Sequence, residues 1–290
     1  ILTSVQPLVS VVVPVFNGMP HLPVLVDALR NQTYPNLEFV FTEGGGSDAS
    51  ADYLASIEDP RIRFVQMPKG TSAAQNWTAA SLEARGEFTK LVCQDDIIYP
   101  RAIELQVGDL SDNPSAPMAI AQRDIVDARG RVLFHRRGLA GLPKKATKAS
   151  GHEVLRACYL QGTNILGEPL AVLFRTEALR DAMPWDDTDP LMLDLSTYQK
   201  IAPQGDVVLR HESIGAFRVS DSSWSTRLAR EQLQQTKRWQ DAYAATQHPS
   251  PSSAARARAT LGRHVSTNLR RVAYASLRAR GSMRSAEATR

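Results

Sequence analysis

The sequence predicts an α/β fold: a Rossmann-like, mostly parallel central sheet flanked by helices, with a C-terminal helical extension. Three observations carry this. Short apolar, β-branched runs alternate with helix-length segments, the ends of those runs are polar and rich in Gly or Pro, and the C-terminal part turns into long Arg-studded helices.

The first strand is VSVVVPV, Val9–Val15, almost uniformly apolar as a strand buried on both faces requires. A helix over Leu22–Gln32 leads to LEFVFT at Leu37–Thr42, and a second over Asp48–Ser56 leads to IRFVQ at Ile62–Gln66. A third, Ser72–Ala84, precedes FTKLVCQ at Phe88–Gln94. Turn residues such as Tyr34-Pro35-Asn36 and Asp59-Pro60 bracket the first two helices. Strands joined through helices of this length imply right-handed crossovers between parallel neighbours.

After Pro100 the pattern predicts a helix to Leu110, then strands Met118–Val126 and Arg131–His135 around an Asp127–Gly130 turn. RRGLAGLPKKATKAS, residues 136–150, reads as a mobile loop near a site. Helices over Gly151–Gln161 and Pro190–Ala202 and strands over Leu170–Phe174 and Asp206–Leu209 follow. Two helices, Trp224–Gln247 and Ala254–Ala279, close the chain, separated by HPSPSS, whose prolines stop helices. In the last helix Leu261, Val265, Leu269 and Val272 recur at four, four and three residues, which puts them on one face.

Composition narrows the class. With 290 residues, 43% hydrophobic and 22% charged, the chain can bury one large core, or one core and a small appendage. The net charge of +4 is uneven: residues 251–290 hold nine arginines against Glu287 alone, +8, which leaves −4 for the rest. The basic character belongs to the tail, so no specific nucleic-acid partner is implied; packing on the core, membrane docking, homo-oligomerisation through the C-terminal helices and, least favoured, non-specific nucleic-acid binding are the readings for it. The longest apolar run, Val9–Phe16, falls far below the ~20 residues of a membrane span. Two separated cysteines, Cys93 and Cys158, and an opening ILTSVQP without a basic-then-apolar leader lead to the expectation of a cytoplasmic protein, at the inner face of the plasma membrane if the tail docks there.

Ligands of an open parallel sheet bind beyond the carboxyl ends of its strands. Those ends read Pro14-Val15-Phe16-Asn17-Gly18, Thr42-Glu43-Gly44-Gly45-Gly46-Ser47-Asp48, Pro68-Lys69-Gly70-Thr71 and Cys93-Gln94-Asp95-Asp96. Adjacent carboxylates after an apolar strand repel unless a cation neutralises them, and few oxygen ligands completed by phosphates and water suit Mg²⁺ or Mn²⁺. Taken alone, such a pair is more often a helix cap or solvated loop acids, and it is the context of the other strand ends that favours the cation. No G-x-G-x-x-G follows the first strand and no G-K-[ST] occurs, which counts against a Rossmann dehydrogenase and a P-loop enzyme.

Taken in order, VSVVVPVFNG, LEFVFTEGGGSDAS, KGTSAAQNWTAASLEARGEF and KLVCQDDIIYP resemble the successive motifs of glycosyltransferase family 2, which has the A-type glycosyltransferase fold. The likeness is close over residues 8–105 and looser to residue 226. It implies a catalytic domain over 1–226, with a nucleotide-sugar half (1–112) and an acceptor half (113–226), and an Arg-rich helical extension over 227–290. It also implies an inverting, hexosyltransferase-type enzyme. Such an enzyme moves a sugar from a nucleotide-diphosphate sugar, UDP-sugar favoured, to a hydroxyl of a glycan or lipid-linked acceptor in cell-surface polysaccharide or glycolipid synthesis.

The resemblance assigns Pro14, Val15, Phe16, Asn17, Glu43, Gly70, Gln75, Asn76, Gln94, Asp95 and Arg218 to the donor, and Asp95 and Asp96 to a Mn²⁺ or Mg²⁺ ion. Asp194 is the base that deprotonates the acceptor hydroxyl, with Asp187 and Asp189 as alternatives. Glu168 and Trp185 are placed at the acceptor, and Trp224 offers a further aromatic face. The sequence departs from the family pattern at Gly44, Cys93 and Leu193, where acids are usual, and at Ser220, where a histidine is often found. Two rivals remain: a catalytically inactive nucleotide- or glycan-binding module, and a sugar-phosphate nucleotidyltransferase. The latter would carry a Gly-rich basic loop where this chain has VFNGMPHLP.

Overall fold

The computed structural model describes residues 6–221, 223, 226 and 228–283. The β-branched run Val9–Val15 forms β1, every residue of it buried. It lies at the centre because both its edges are paired in parallel, one with β2 (Leu37–Glu43) and the other with β4 (Phe88–Leu91). β3 (Ile62–Gln66) extends the parallel set beyond β2. The crossovers are α1 (His21–Arg30), α2 (Ser50–Ala55) and α3 (Ala73–Leu82). α1 buries Leu22, Leu25, Val26 and Leu29, the 3.6-residue stripe expected of a helix lying on a sheet. α3 begins where the Ser72 hydroxyl and the Gln75 side chain cap each other's backbone N–H groups.

The second half completes a mixed sheet of order β3-β2-β1-β4-β9-β6-β10-β5. β9 (Val172–Arg175) runs antiparallel to β4 and to β6 (Met118–Val126), while β10 (Asp206–Arg218) runs parallel to β6 and antiparallel to β5 (Ile97–Ile98). β7 (Val132–Arg137) pairs with β6, and β8 (Lys148–Ser150) with β10. α4 (Ala102–Ser111), α5 (Gly151–Gln161), α6 (Thr176–Asp181) and α7 (Leu193–Ile201) cover the faces. Successive residues of β1 feed opposite cores: Val12 joins Val40, Leu91, Phe174 and Tyr198, while Val11 and Val13 join Phe39, Phe41 and Ile103.

Several boundaries differ from the sequence reading. β4 leaves the ladder at Leu91, so Cys93–Asp96 form a turn rather than a strand end. β10 runs for 13 residues instead of four, with irregular register where Arg210, His211 and Glu212 interrupt its apolar pattern. β8 falls inside the segment expected to be a loop, since β10 offers it an edge.

Two helices close the chain, α8 (Gln232–Thr246) and α9 (Ser253–Ala279). Trp239, Tyr243 and Ala259 enter the same core as α5, so these two helices pack on the body of the protein. α9 crosses the end of α5 at two glycines. Gly162 ends α5 in the left-handed conformation, φ 60°, and a Cβ there would lie 2.3 Å from the Arg263 nitrogen; one on Gly262 would lie 2.3 Å from the Leu160 oxygen. The Ser266 hydroxyl donates to the Gly162 carbonyl at 2.8 Å. Gly162→Ala combines left-handed strain with a backbone clash, and should lower stability by more than about 2 kcal/mol in urea unfolding. No described helix is long and apolar enough to cross a membrane.

Candidate active site

The carboxyl ends of β1, β2 and β4 are stitched into one cradle by the side chains that the sequence singles out. Gln94 clamps the peptide of Phe16 from both sides: its Oε1 accepts from the Phe16 N–H at 2.7 Å and its Nε2 donates to the Phe16 carbonyl at 2.7 Å. Asn17, at φ 51°, accepts at Oδ1 from the N–H groups of Ser47 at 2.7 Å and Asp48 at 3.3 Å. The Val15 carbonyl accepts from Asn76 Nδ2 at 3.0 Å and from the Gly44 N–H at 2.8 Å. Pro14 and Val15 are buried in β1. The backbone is therefore held still while the Phe16 ring stands 54% exposed above the cradle.

Glu43 is buried, and its carboxylate accepts from the N–H groups of Gly45 at 3.0 Å and Gly46 at 2.7 Å and from Gln66 Nε2 at 2.6 Å. It folds the glycine turn. Gln75 accepts from the Ser72 N–H at 2.8 Å as part of the α3 cap, and a side chain at Gly70 would meet nothing within 4 Å. Arg218 donates from Nε to the Asp95 carbonyl at 3.0 Å and from Nη1 to the Ala128 carbonyl at 3.2 Å, fixing the turn that carries the two aspartates.

Asp96 is 4% exposed, and neither of its carboxylate oxygens has a hydrogen-bond partner among the described residues. A buried, unpartnered carboxylate is costly unless it is protonated or meets a cation. Burial, reinforced by Asp95 and then Glu168, pushes the Asp96 carboxyl well above the carboxylate range, and burial also raises Asp95. A divalent ion fits this arrangement. No described group of three or more His, Cys, Asp or Glu side chains stands ready to hold a metal, so such an ion would draw its remaining oxygens from substrate and water.

Across the turn lies a second group of carboxylates. Asp194, in the first turn of α7, accepts at Oδ2 from Asn164 Nδ2 at 2.9 Å and at Oδ1 from the Leu195 N–H at 2.7 Å. Burial, with Glu168 adding repulsion, pushes its carboxyl up to about 7. Glu168 is itself gripped by Arg123, Nε to Oε2 at 2.6 Å and Nη2 to Oε1 at 3.1 Å. Burial works against the Glu168 charge, but Arg123 prevails and holds the carboxyl below its ordinary range. The Cys93 thiol lies within electrostatic reach of Asp96, Asp95, Glu168 and Asp194, so the turn and the two further carboxylates converge.

Trp185 is 2% exposed, meets Trp77 edge to face at 5.2 Å and donates from Nε1 to the Ser81 hydroxyl at 2.9 Å. It is a packing residue with no open face for a sugar, because the turn before α7 folds its ring onto α3. Trp224 lies outside the described residues. Asp187, exposed, accepts from the Ser72 hydroxyl of the α3 cap, and Asp189, half-buried, is paired with Arg238 of α8.

Three functional candidates escaped the sequence reading. Lys90 is the one charge in the strand FTKL and Arg123 stands beside Asp124 in the otherwise mostly apolar MAIAQRDIV, and a charge in a buried strand must find a partner, which is the signal they carry. Lys90 donates to Gln106 Oε1 at 2.7 Å and to the Leu170 carbonyl, and burial pulls its ammonium down to about 7. Arg270, from α9, lies within electrostatic reach of Glu168 and Asp194 and has no local signal. Arg123→Ala leaves Glu168 without its partner and should cost about 3 kcal/mol of stability by thermal or urea unfolding, whereas Arg123→Lys restores part of it.

Residues 10–181 match the sequence family described as glycosyl transferase family 2. The chain belongs to that family. An uncharacterised glycosyltransferase of Rickettsia typhi is 25% identical over 232 residues, which is 79% of this chain and 69% of that protein. The chain spans only 20% and 27% of the length of two other curated relatives. Among solved structures, the S. aureus protein TarS in complex with UDP-GlcNAc aligns with a TM-score of 0.63 at 15% identity, covering 89% of this chain and 73% of that one. The mannosyltransferase PcManGT from Pyrobaculum calidifontis, in complex with GDP-Man and Mn²⁺, aligns with a TM-score of 0.58 at 16% identity, covering 89% and 74%. These likenesses establish the A-type glycosyltransferase fold for this family 2 chain, with β1, β2 and β4 supplying the cradle.

Proposed function

We propose that this family 2 glycosyltransferase is an inverting enzyme using a nucleotide-diphosphate sugar, with a UDP-sugar favoured and a glycan or lipid-linked hydroxyl as acceptor. Synthesis of cell-surface polysaccharide or glycolipid is its setting. The observation that carries the reading is the meeting around Cys93 of two differently tuned carboxylate sets. On one side stands the partnerless Asp96 beside Asp95; on the other stands Asp194, held at about 7. The relatives' ligands, UDP-GlcNAc in one and GDP-Man with Mn²⁺ in the other, support a nucleotide-sugar donor and a divalent ion.

In this reading Phe16 gives the base an aromatic surface, while Asn17, Gln94 and Glu43 keep the loops beneath it in shape. Pro14, Val15, Gly70, Gln75 and Asn76 form or support the walls. Asp95 and Asp96 would hold Mn²⁺ or Mg²⁺, which neutralises charge on the departing diphosphate. Asp194 takes the proton of the acceptor hydroxyl. That oxygen bonds to the anomeric carbon as the bond to the diphosphate oxygen breaks on the opposite face, which inverts the configuration. A base near pKa 7 is partly ionised at neutral pH and still basic enough to accept the proton. Glu168, locked by Arg123, lines the acceptor wall and contributes to the raised pKa of Asp194.

The test is calorimetric titration with UDP, GDP and dTDP, with and without Mn²⁺, on the parent and on Asp95→Ala. Metal-dependent binding of one nucleotide, lost in the variant, is the expected result. Failure of all three to bind would turn the reading to a glycan-binding module without transferase activity.

A further inference from the structure

α9 carries four large apolar residues on the side away from the protein. The side chains it buries are Ala259, Arg263, Thr267 and Leu277, and Ser266 bonds to Gly162. On the opposite side Leu261, Val265, Leu269 and Val272 are 64%, 48%, 66% and 68% exposed. At about 100° per residue these four fall within an arc of about 80°, a continuous stripe about 16 Å long. An ordinary surface helix turns such a stripe inward, whereas this one is left uncovered by the described residues and open to a partner.

The charges around the stripe say what. α9 contains six arginines and no acid. Arg258 and Arg271 are exposed, Arg258 within the arc of the stripe and Arg271 about 80° beyond its edge, and neither has a carboxylate partner among the described residues. We infer that this face of α9 docks on an anionic lipid bilayer, with the leucines and valines entering the acyl boundary and the flanking arginines meeting lipid phosphates. A second copy of the chain fits less well. It would present the same arginines with no acid from its own α9, and four side chains fall well short of the ~800 Å² per partner of a stable dimer. Nucleic acid would use the arginines but has no use for the stripe.

The inward side of α9 touches Gly162 and brings Arg270 near Glu168 and Asp194, so docking would set the acceptor wall about one helix diameter from lipid. That consequence rests on the transferase reading; the docking itself does not. The experiment is sedimentation of the full chain with phosphatidylcholine vesicles, with and without phosphatidylglycerol, alongside a Leu261→Ser, Leu269→Ser, Val272→Ser variant. Binding to the anionic vesicles should be at least about tenfold tighter than to neutral ones, should weaken with salt, and should fall at least about tenfold in the variant. All three positions are exposed, so the variant should keep the parent's melting temperature and nucleotide binding, which separates this test from that of the donor site. Three results would overturn the inference: no binding to anionic vesicles, equal binding by the variant, or a lipid-free dimer that the variant dissociates.

Discussion

Asp194→Asn should lower kcat by about 10³-fold while making the protein more stable, not less. The two effects share one cause. The fold holds the Asp194 carboxyl up to about 7 through burial and the neighbouring Glu168, so ionising it at neutral pH works against folding. A carboxyl whose folded pKa is raised binds its proton more tightly in the folded state. Its contribution to stability therefore declines as pH rises from the unfolded value near 4 through about 7. Asparagine removes the charge and keeps an oxygen for the Asn164 amide but forfeits the bond from the Leu195 N–H, so the melting temperature measured near pH 8 should rise by the equivalent of a net of about 1–2 kcal/mol. A purely structural acid would show the opposite pattern, a stability loss with little change in turnover. In the parent, kcat/KM should climb with pH and level off above about 7, as a base that must be ionised requires.

Asp96→Asn should abolish the response to a divalent ion. The buried Asp96 oxygens lack partners within the described protein, so a cation bound there with donor is their natural complement. Mn²⁺ with nucleotide at about 100 times its Kd should stabilise the parent by about 2.7 kcal/mol, seen as a raised melting temperature, and should leave the variant unmoved. Asp95→Ala should behave alike, with donor affinity down about 100-fold. An unchanged thermal response in both variants would remove the pair from the metal site.

The layout is legible in the chain alone: β-branched runs alternating with helices dictate parallel strands, and the carboxyl ends of β1, β2 and β4 place Phe16, Asn17, Glu43, Gln94, Asp95 and Asp96 at one edge. That much is local, because strand periodicity and crossover handedness act over a few tens of residues. Which of those side chains face a ligand was decided by tertiary contacts. Gln94, Gln75 and Glu43 hold neighbouring backbone, and Trp185 is packed away, because each meets a partner that adjacent sequence does not reveal. The properties of Asp194 depend on burial, on Asn164 thirty positions away and on Glu168, whose own charge is kept by Arg123. α9 shows the same division: the spacing of Leu261, Val265, Leu269 and Val272 fixes that they share a face, but not which way it looks. That was decided at Gly162 and Gly262, where only a side chain of hydrogen lets two backbones close to contact and turn the stripe outward.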